Sequence, residues 1–378
     1  MRAPTPPLAE TNVKKTTVGF VDKPIKTGKR SRRLSTSLKV LIGLALLSAG
    51  TVMVVSSIIW WYLSSFTQAA QISLDDFTSQ IRSGLSSTLA ATNDRTNILI
   101  LGLDEIAGQK DSLLTDTILV ASYSHQSHDL TLVSLPRDLW IAALKTKINA
   151  LYYYGQLSSE TTGPKLVSSI VAQVTGLPIH YSLVVNLNSL EHIINTLGGI
   201  DINVPTTFTD TRFPRGNVDI RTATSQAELY ETVTFNQGLQ HMDGATALKY
   251  IRSRESSDTD QGNDLARQDR QRTLIMALIA KLSSSQSFKN PRTLGTLLYI
   301  YNHDFITNLG VSDLVALAKL NGTHLPKITS LEIPAELNGQ RGLIFHPPTQ
   351  KYQQWVFEPA DPTWQEINQF ISTHLSSN

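Results

Sequence analysis

Arginines and acidic residues alternate along the segment YIRSRESSDTDQGNDLARQDRQR, which contains neither histidine nor cysteine. Its arginines are Arg252, Arg254, Arg267, Arg270 and Arg272. Guanidinium groups match phosphate oxygens two at a time, and a helix N-terminus adds backbone N–H donors. The segment therefore indicates a site for two adjacent anionic groups, such as a diphosphate. The alternative is a solvated charged face with pairs inside one helix, such as Asp269 with Arg272.

Charged residues also stand at the ends of three predicted strands nearer the N-terminus. The apolar run NILILGLD ends on Asp104, TDTILVASY has Asp116 as its second residue, and LTLVSLPRD ends on Arg137 and Asp138. The polar turn SHQSHD joins the second strand to the third as an antiparallel hairpin. If the first strand also runs antiparallel to the second, all four charged residues lie at one edge of a sheet.

Two of these carboxylates could share a metal ion. Asp104 and Asp116 would repel each other at close range unless one took up a proton or a divalent cation lay between them. Oxygen ligands without histidine or cysteine suit Mg²⁺ or Mn²⁺ rather than structural zinc. The alternative interpretation is that both are ordinary aspartates of strand ends and turns.

The elements that must position these residues are typical of an α/β domain. Apolar residues recur at helical spacing from Leu166 to Val174 and again from Leu190 to Leu197, where a Gly-Gly pair ends the helix. Short apolar strands precede and follow the second helix. The predicted fold class is therefore α/β, with a mixed central sheet and helices on both faces. The C-terminal part is assigned a packing role and ends in a helix that Asp361 caps.

The arginine segment itself is predicted to join two helices. A short helix opens at Asp243, and Arg252 and Arg254 share one face if the chain after it is extended. A second helix begins near Asn263 or Asp264, so that arginines gather on its opening turns. Its buried stripe is expected to consist of Leu274, Ile275, Leu278 and Ile279.

The segment Val40–Leu63 has no charged residue and is long enough to cross a bilayer as a helix. A cleaved signal peptide is the alternative, but its apolar region is usually only about 7–15 residues long. Basic residues before the span place the N-terminus in the cytoplasm. The predicted divisions are a basic tail at 1–39, the span at 40–63, a stalk and linker at 64–93, and an extracytoplasmic domain at 94–378 with a motif core at 94–282.

Composition excludes several classes of function. Without cysteine, the chain has neither a disulfide framework nor thiolate chemistry. The basic cluster from Lys29 to Arg33 could suggest a nucleic-acid binder, but a topology signal next to a membrane span explains it. A hydrophobic fraction of 41% is enough for a real core in a chain of 378 residues.

Several motifs, in order along the chain, resemble the LytR-CpsA-Psr family of cell-envelope proteins. They are NILILGLDE, TDTILVASY, LVSLPRDLWI, KINALYYYG, NLNSLEHIINTLGGIDINVP, FNQGLQHMDGATALKYIRSR and NDLARQDRQR. The resemblance implies a transferase that moves a glycopolymer from a polyprenyl diphosphate carrier to peptidoglycan. A sugar hydroxyl of the wall would attack phosphorus, and polyprenyl phosphate would leave. The implied partners are the lipid-linked glycan, the peptidoglycan acceptor and the bilayer, without nucleic acid.

The resemblance also implies a role for individual residues. Asp104 and Asp116 match the positions that hold Mg²⁺ or Mn²⁺. The expected catalytic residues are Arg137, Asp138, Asp264 and Arg267. The residues expected to bind the diphosphate are Arg137, Lys147, Arg252, Arg254, Arg267, Arg270 and Gln271.

One position departs from the family pattern. Leu114 stands where the family commonly has arginine before the Ser/Thr-Asp-Thr segment, which removes one expected diphosphate ligand. A catalytically weak lipid-diphosphate scaffold or regulator of envelope assembly is therefore the alternative function. A transcriptional regulator is a third alternative, and it would require the domain to lie in the cytoplasm.

Overall fold

The computed structural model describes residues 19, 35–103, 113–159, 162–215, 225–256, 258, 261–262, 264–282, 284, 289–322, 326–336 and 340–376. The chain divides into two compact units, Met1–Ser57 and Ile58–Asn378. The second unit contains the sheets and the predicted site residues.

Helices and strands are numbered separately in chain order. The helices are α1 (Thr36–Ala70), α2 (Leu74–Ser86), α3 (Leu151–Gln156), α4 (Thr162–Thr175), α5 (Leu187–Thr196), α6 (Gln226–Leu229), α7 (Gly244–Arg252), α8 (Asp264–Leu282), α9 (Pro291–Asp304), α10 (Val311–Asn321) and α11 (Gln365–Ser376). The strands are β1 (Arg95–Leu103), β2 (Thr115–Ser124), β3 (Leu130–Ser134), β4 (Trp140–Ile141), β5 (Thr146–Lys147), β6 (Tyr181–Asn186), β7 (Ile200–Val204), β8 (Phe208–Pro214), β9 (Tyr230–Phe235), β10 (Gly238–Met242), β11 (Ile306–Thr307), β12 (Ile328–Glu332), β13 (Ile344–Phe345) and β14 (Glu358–Pro359).

The central sheet has the strand order β11-β6-β1-β2-β3-β12. Strand β2 pairs antiparallel with β1 on one side and with β3 on the other, as the apolar runs and the polar turn predicted. In contrast, β6 pairs parallel with β1, and β12 pairs parallel with β3. The sheet is therefore mixed, and its antiparallel centre brings the end of β1, the start of β2 and the end of β3 to the same edge.

Helices cover both faces of this sheet, which confirms the predicted fold class. Apolar side chains of β1, β2 and β3 pack on one face against α4 and α11, around Val171 and Ile371. Tyr181 of β6 and Ile98 of β1 pack on the other face against α10, around Ala316. Alternate residues of β1 thus serve two hydrophobic layers, as expected for a strand buried on both sides.

A second apolar cluster lies around the arginine segment. It joins the two-stranded ribbons β7-β10 and β8-β9 to α5, α7 and the middle of α8. Ile202, Phe208, Tyr250 and Leu274 are each at most 3% exposed within it. Of the predicted stripe of α8, Leu274 is buried in this cluster and Leu278 packs against it, whereas Ile275 and Ile279 are half-buried and lie outside it. The cluster fixes both helices that flank the arginines.

Glycines mark the end of one helix and a close contact between two others. The Gly198-Gly199 pair ends the helical region of α5. Its φ angles are +73° and +90°, backbone conformations that residues with a Cβ rarely adopt. Gly84 of α2 approaches α10 so closely that an added Cβ would lie 2.5 Å from Cβ of Val315. The helical part of the predicted stalk therefore packs against α10.

Helix α1 contains the predicted span and extends beyond it at both ends. Its large apolar side chains from Leu38 to Trp61 are mostly exposed. Among the described residues it is the one helix long and apolar enough to cross a membrane, judged by length and composition. At the other end of the chain, Asp361 accepts hydrogen bonds from the backbone N–H of Gln365 at 2.8 Å and of Glu366 at 3.3 Å. It therefore caps α11 as predicted, although the helix begins at Gln365 and not directly after Asp361.

Candidate active site

The charged residues at the edge of the central sheet contact one another directly. Asp116 is the second residue of β2, and Arg137 lies in the turn that follows β3. Because the two strands pair antiparallel, this turn returns to the start of β2. Arg137 Nη1 donates to Asp116 Oδ1 at 2.9 Å. The convergence inferred from the strand pattern is therefore present for these two residues.

Helix α8 supplies the second guanidinium at this edge. Arg267 Nη2 donates to Asp116 Oδ2, and the whole Arg267 residue is 4% exposed. One turn farther along the helix, Gln271 Oε1 accepts a hydrogen bond of 3.0 Å from Thr117 Oγ1. The first turns of α8 thus dock onto the start of β2 through two polar contacts, and Asp116 lies between two arginines.

These contacts determine the charge state of Asp116. Burial alone would raise the pKa of its carboxyl group. The charges and hydrogen bonds of Arg267 and Arg137 together outweigh burial and hold the pKa below its usual value. Asp116 is therefore a carboxylate at neutral pH, in the form that would bind either an arginine or a cation.

Asp138 lies beside this group and connects it to the ribbon β4-β5. Its Oδ1 accepts a hydrogen bond of 2.6 Å from Lys147 Nζ, and its Oδ2 lies 3.5 Å from Arg137 Nε. Asp138 is 6% exposed. Arg137 therefore sits between two carboxylates, and Lys147 completes a row of alternating charges that extends away from Asp116.

Arg270 is held by the loop between α7 and α8. Its guanidinium donates to the carbonyl oxygen of Ser253 and, at 3.2 Å, to that of Gln261, and its Cζ lies 4.7 Å from the centre of the Phe208 ring. Arg270 is 3% exposed, and this burial lowers its pKa. Contacts of this kind fix the path of the arginine segment, so they give Arg270 a supporting position.

Asp210 also fixes this path, although it was not among the predicted site residues. It lies in β8 and is 1% exposed. Its Oδ2 accepts from the backbone N–H of Arg254 at 3.0 Å and of Glu255 at 3.2 Å, while its Oδ1 accepts from that of Arg212 at 2.9 Å. The available signal was its spacing, because Phe208 and Asp210 share the inward face of an alternating strand.

The two arginines after Tyr250 differ from the expected arrangement. Helix α7 continues through Arg252, and the extended backbone begins only at Ser253. Arg252 and Arg254 therefore do not share the face of one extended segment. Arg252 is half-buried, whereas the side chain of Arg254 is exposed. The predicted pair Asp269 with Arg272 is present at 3.0 Å, and Arg272 also contacts Glu332 of β12.

The side chains of two predicted site residues, Asp104 and Asp264, are not described by the structure. Asp104 lies outside the described residues, and Asp264 is described only as the first residue of α8. No group of three His, Cys, Asp or Glu residues suitable for a metal occurs in the described part of the chain. The donor chemistry of Asp116 nevertheless fits a hard cation, since its ionised carboxylate has about four lone-pair positions and the two guanidinium bonds described above use two.

Comparisons of the whole chain agree with the motifs. A model of the LytR_cpsA_psr family matches residues 60–358. The chain is 25% identical over 345 residues to the polyisoprenyl-teichoic acid–peptidoglycan teichoic acid transferase TagV of Bacillus subtilis (strain 168), covering 89% of this chain and 79% of that protein. It is 26% identical over 287 residues to a transferase of the same description, TagU of Oceanobacillus iheyensis, covering 75% and 77%.

Solved structures show the same fold. The crystal structure of B. subtilis TagV aligns with a TM-score of 0.53 at 23% identity, covering 76% of this chain and 99% of that one. A structure of TagT bound to LI-WTA aligns with a TM-score of 0.51 at 20% identity, covering 77% and 94%. The family match covers most of the chain and includes β2, β3 and α8, whose residues meet at Asp116. The chain therefore belongs to the LytR_cpsA_psr family.

Proposed function

We propose that this protein is a membrane-anchored phosphotransferase that moves a glycopolymer from a polyprenyl diphosphate carrier to a peptidoglycan hydroxyl. The observation that carries the proposal is the edge where Arg137 and Arg267 converge on Asp116 beside the arginine segment. The relatives TagV and TagU are named as teichoic acid transferases, and TagT has been solved bound to LI-WTA, which supports the same reaction class here.

In this reaction the acceptor oxygen forms a bond to the phosphorus of the glycopolymer phosphate. The bond from that phosphorus to the bridging oxygen breaks, polyprenyl phosphate leaves, and the hydroxyl proton is lost to a base or solvent. Phosphoryl transfer depends on positioning and on neutralising charge more than on covalent chemistry of the protein. Arg137 and Arg267 can provide both, because each has a planar fork of donors and Asp116 holds them in fixed directions.

The other site residues are assigned supporting roles in this proposal. Asp138 orients Arg137 and Lys147, while Asp210 and Arg270 hold the loop that carries Arg254. Asp116, together with Asp104, would bind Mg²⁺ or Mn²⁺, and such an ion would neutralise charge on the phosphoryl oxygens. Helix α1 would anchor the chain with its N-terminus in the cytoplasm and the domain outside, so a tag placed after Asn378 should react with an impermeant reagent on intact cells.

Turnover of a defined donor tests the proposal. The full chain in detergent micelles would be given a polyprenyl diphosphate-linked glycan and soluble peptidoglycan strands. Release of polyprenyl phosphate and appearance of a phosphodiester-linked strand are expected together. If the protein binds the lipid with high affinity yet forms no product over many hours with either metal ion, the transferase proposal is wrong and the scaffold is favoured.

Leu114 is the observation that favours the scaffold as a second candidate. It directly precedes β2 and is 37% exposed, so it is not fully packed against the sheet edge. We expect Leu114→Arg to tighten binding of the diphosphate lipid by about 1–3 kcal/mol, the range for a charge-assisted hydrogen bond. Lys110, which lies outside the described residues, is proposed to compensate in part as a point charge.

Lipid affinity in four variants checks this expectation. Lys110→Ala should weaken binding when residue 114 is leucine and should have little effect in the Leu114→Arg background. Leu239→Arg is the matched control, because Leu239 is a 75% exposed leucine of β10. A gain of equal size in that control would mean that added positive charge alone attracts the lipid, which contradicts a specific role for position 114.

A further inference from the structure

Two pairs of aromatic rings in contact, one tilted and one stacked, lie beside the charged row at the sheet edge. The ring centroids of Trp140 and Tyr352 are 4.4 Å apart. Those of His346 and Trp355 are 3.5 Å apart, with planes inclined by 21°. Trp355 is 53% exposed although His346 covers one face of its indole. These four residues are here called the aromatic platform.

Strand pairing ties the first ring pair to the candidate active site. Trp140 of β4 is the direct partner of Lys147 of β5 in an antiparallel ribbon. Side chains of directly opposed residues lie on the same face of such a ribbon. Since Lys147 Nζ contacts Asp138 at 2.6 Å, the Trp140 ring lies on the face that carries this ion pair.

Backbone hydrogen bonds tie the second ring pair to the same turn. Phe357 N–H donates to the carbonyl oxygen of Asp138 at 2.9 Å, and Trp140 N–H donates to that of Phe357 at 2.8 Å. The Trp355 ring meets the Phe357 ring edge to face, with centroids 6.1 Å apart. Both ring pairs are therefore anchored to the turn that supplies Asp138.

The charged groups that flank the platform are paired, and Lys351 Nζ lies 5.1 Å from the centre of the Tyr352 ring. Lys351 Nζ contacts Glu358 at 2.6 Å, and Tyr352 Oη donates to the same carboxylate. The Lys147–Asp138 pair is balanced in the same way. This surface therefore differs from the Asp116 side of Arg137, where two guanidinium groups meet one carboxylate. Phosphates favour the arginines, whereas a neutral aromatic surface with polar edges favours sugar rings, whose C–H faces stack on aromatic faces.

We propose that the aromatic platform binds pyranose rings of the peptidoglycan acceptor strand and guides a sugar hydroxyl towards the phosphorus. The inference rests on the proposed function and identifies the acceptor subsite of that reaction. The donor keeps its phosphates at Arg137 and Arg267, so the acceptor approaches from the neutral side, past Trp140. The polar groups of Tyr352, Lys351 and Glu358 lie where they can bind hydroxyl groups at the edge of a stacked ring.

Direct binding of a glycan strand tests this proposal without relying on turnover. The probe is a soluble, uncrosslinked strand of alternating N-acetylglucosamine and N-acetylmuramic acid, titrated calorimetrically into the full chain in detergent micelles. Trp355→Ala and Tyr352→Ala are each expected to weaken the strand Kd about ten-fold, the loss expected for one aromatic stacking contact. Trp355→Phe should retain most of the affinity because it keeps a ring.

The control is Tyr299→Ala, since Tyr299 also stacks on a histidine, His303, with centroids 4.1 Å apart, but lies in α9. Its strand affinity should equal that of the unaltered protein. Full strand affinity in both alanine variants would overturn the proposal. Loss of binding to phosphatidylglycerol vesicles in Trp355→Ala, with strand binding intact, would also overturn it and would assign the platform to the membrane surface.

Failure of the acceptor subsite and failure of the transferase proposal give different results. If the unaltered protein forms the phosphodiester-linked strand while Trp355→Ala and Tyr352→Ala bind the strand normally, the acceptor subsite is wrong and the transferase proposal survives. If it binds the strand through the platform but cleaves no donor, the subsite survives and the transferase proposal fails.

Discussion

Replacing Asp116 by alanine is expected to abolish turnover and to lower the free energy of unfolding by about 3–5 kcal/mol, the cost of removing one partner from a buried ion pair. Arg267 is 4% exposed, and it would lose the carboxylate that it contacts. Arg137 would lose the acceptor that fixes its direction. Thermal and denaturant unfolding of the full chain in detergent, together with polyprenyl phosphate release, measure the two effects.

Two further variants separate the fold from the chemistry. Asp201→Ala removes an exposed carboxylate that contacts His241, and such surface pairs contribute only about 0–1 kcal/mol. The double variant Asp116→Ala/Arg267→Met removes the buried charge that the single variant leaves behind, so it should recover part of the stability but none of the activity. Normal turnover in Asp116→Ala would exclude this residue from the reaction.

Asp116 should also contribute a defined pH dependence. Burial opposes ionisation, but Arg267 and Arg137 hold its pKa below the unfolded value, so the carboxylate stabilises the fold above the unfolded pKa. This contribution is lost as the pH falls through the folded-state pKa. The difference in unfolding free energy between the unaltered protein and Asp116→Asn should therefore be constant well above the unfolded pKa of 3.8 and should shrink as the pH falls below it.

Replacing Asp210 by alanine is expected to reduce both stability and affinity for the diphosphate lipid. The carboxylate receives three backbone N–H groups, two of them from Arg254 and Glu255. Its removal leaves these donors without their acceptor in a site that is 1% exposed, which should cost about 2–4 kcal/mol. The loop would then no longer hold Arg254 in one position, so lipid affinity should fall about ten-fold or more.

Asp243→Ala is the matched control for this expectation. Asp243 caps the opposite end of α7 by accepting from the Thr246 N–H at 2.8 Å, and loss of such a cap costs about 1 kcal/mol. It should therefore lower stability slightly and leave lipid affinity unchanged. If Asp210→Ala lowers stability but binds the lipid as well as the control does, the loop position is not coupled to ligand binding.

The sequence by itself determined the parts that depend on local pattern. Alternating and continuous apolar runs predicted β1, β2 and β3, and the polar turn predicted their antiparallel order, so the approach of Arg137 to Asp116 followed from register alone. Gly198-Gly199 correctly ended the helical region of α5, and the apolar stretch within α1 gave the one candidate span in the described chain. Each of these features depends on residues that lie close together in the sequence.

Only the tertiary structure decided how distant segments meet. Arg267 reaches Asp116 across 151 positions, and Arg270 turns inward to Ser253 and Phe208 although its spacing suited a ligand equally well. The inward carboxylate of Asp210 and the contact between Trp140 and Tyr352 likewise depend on pairing between remote strands and loops. Such contacts are selected by burial and by the need to satisfy buried polar groups. Residue type and spacing indicate that an arginine is available, but packing decides whether it faces a ligand or the protein itself.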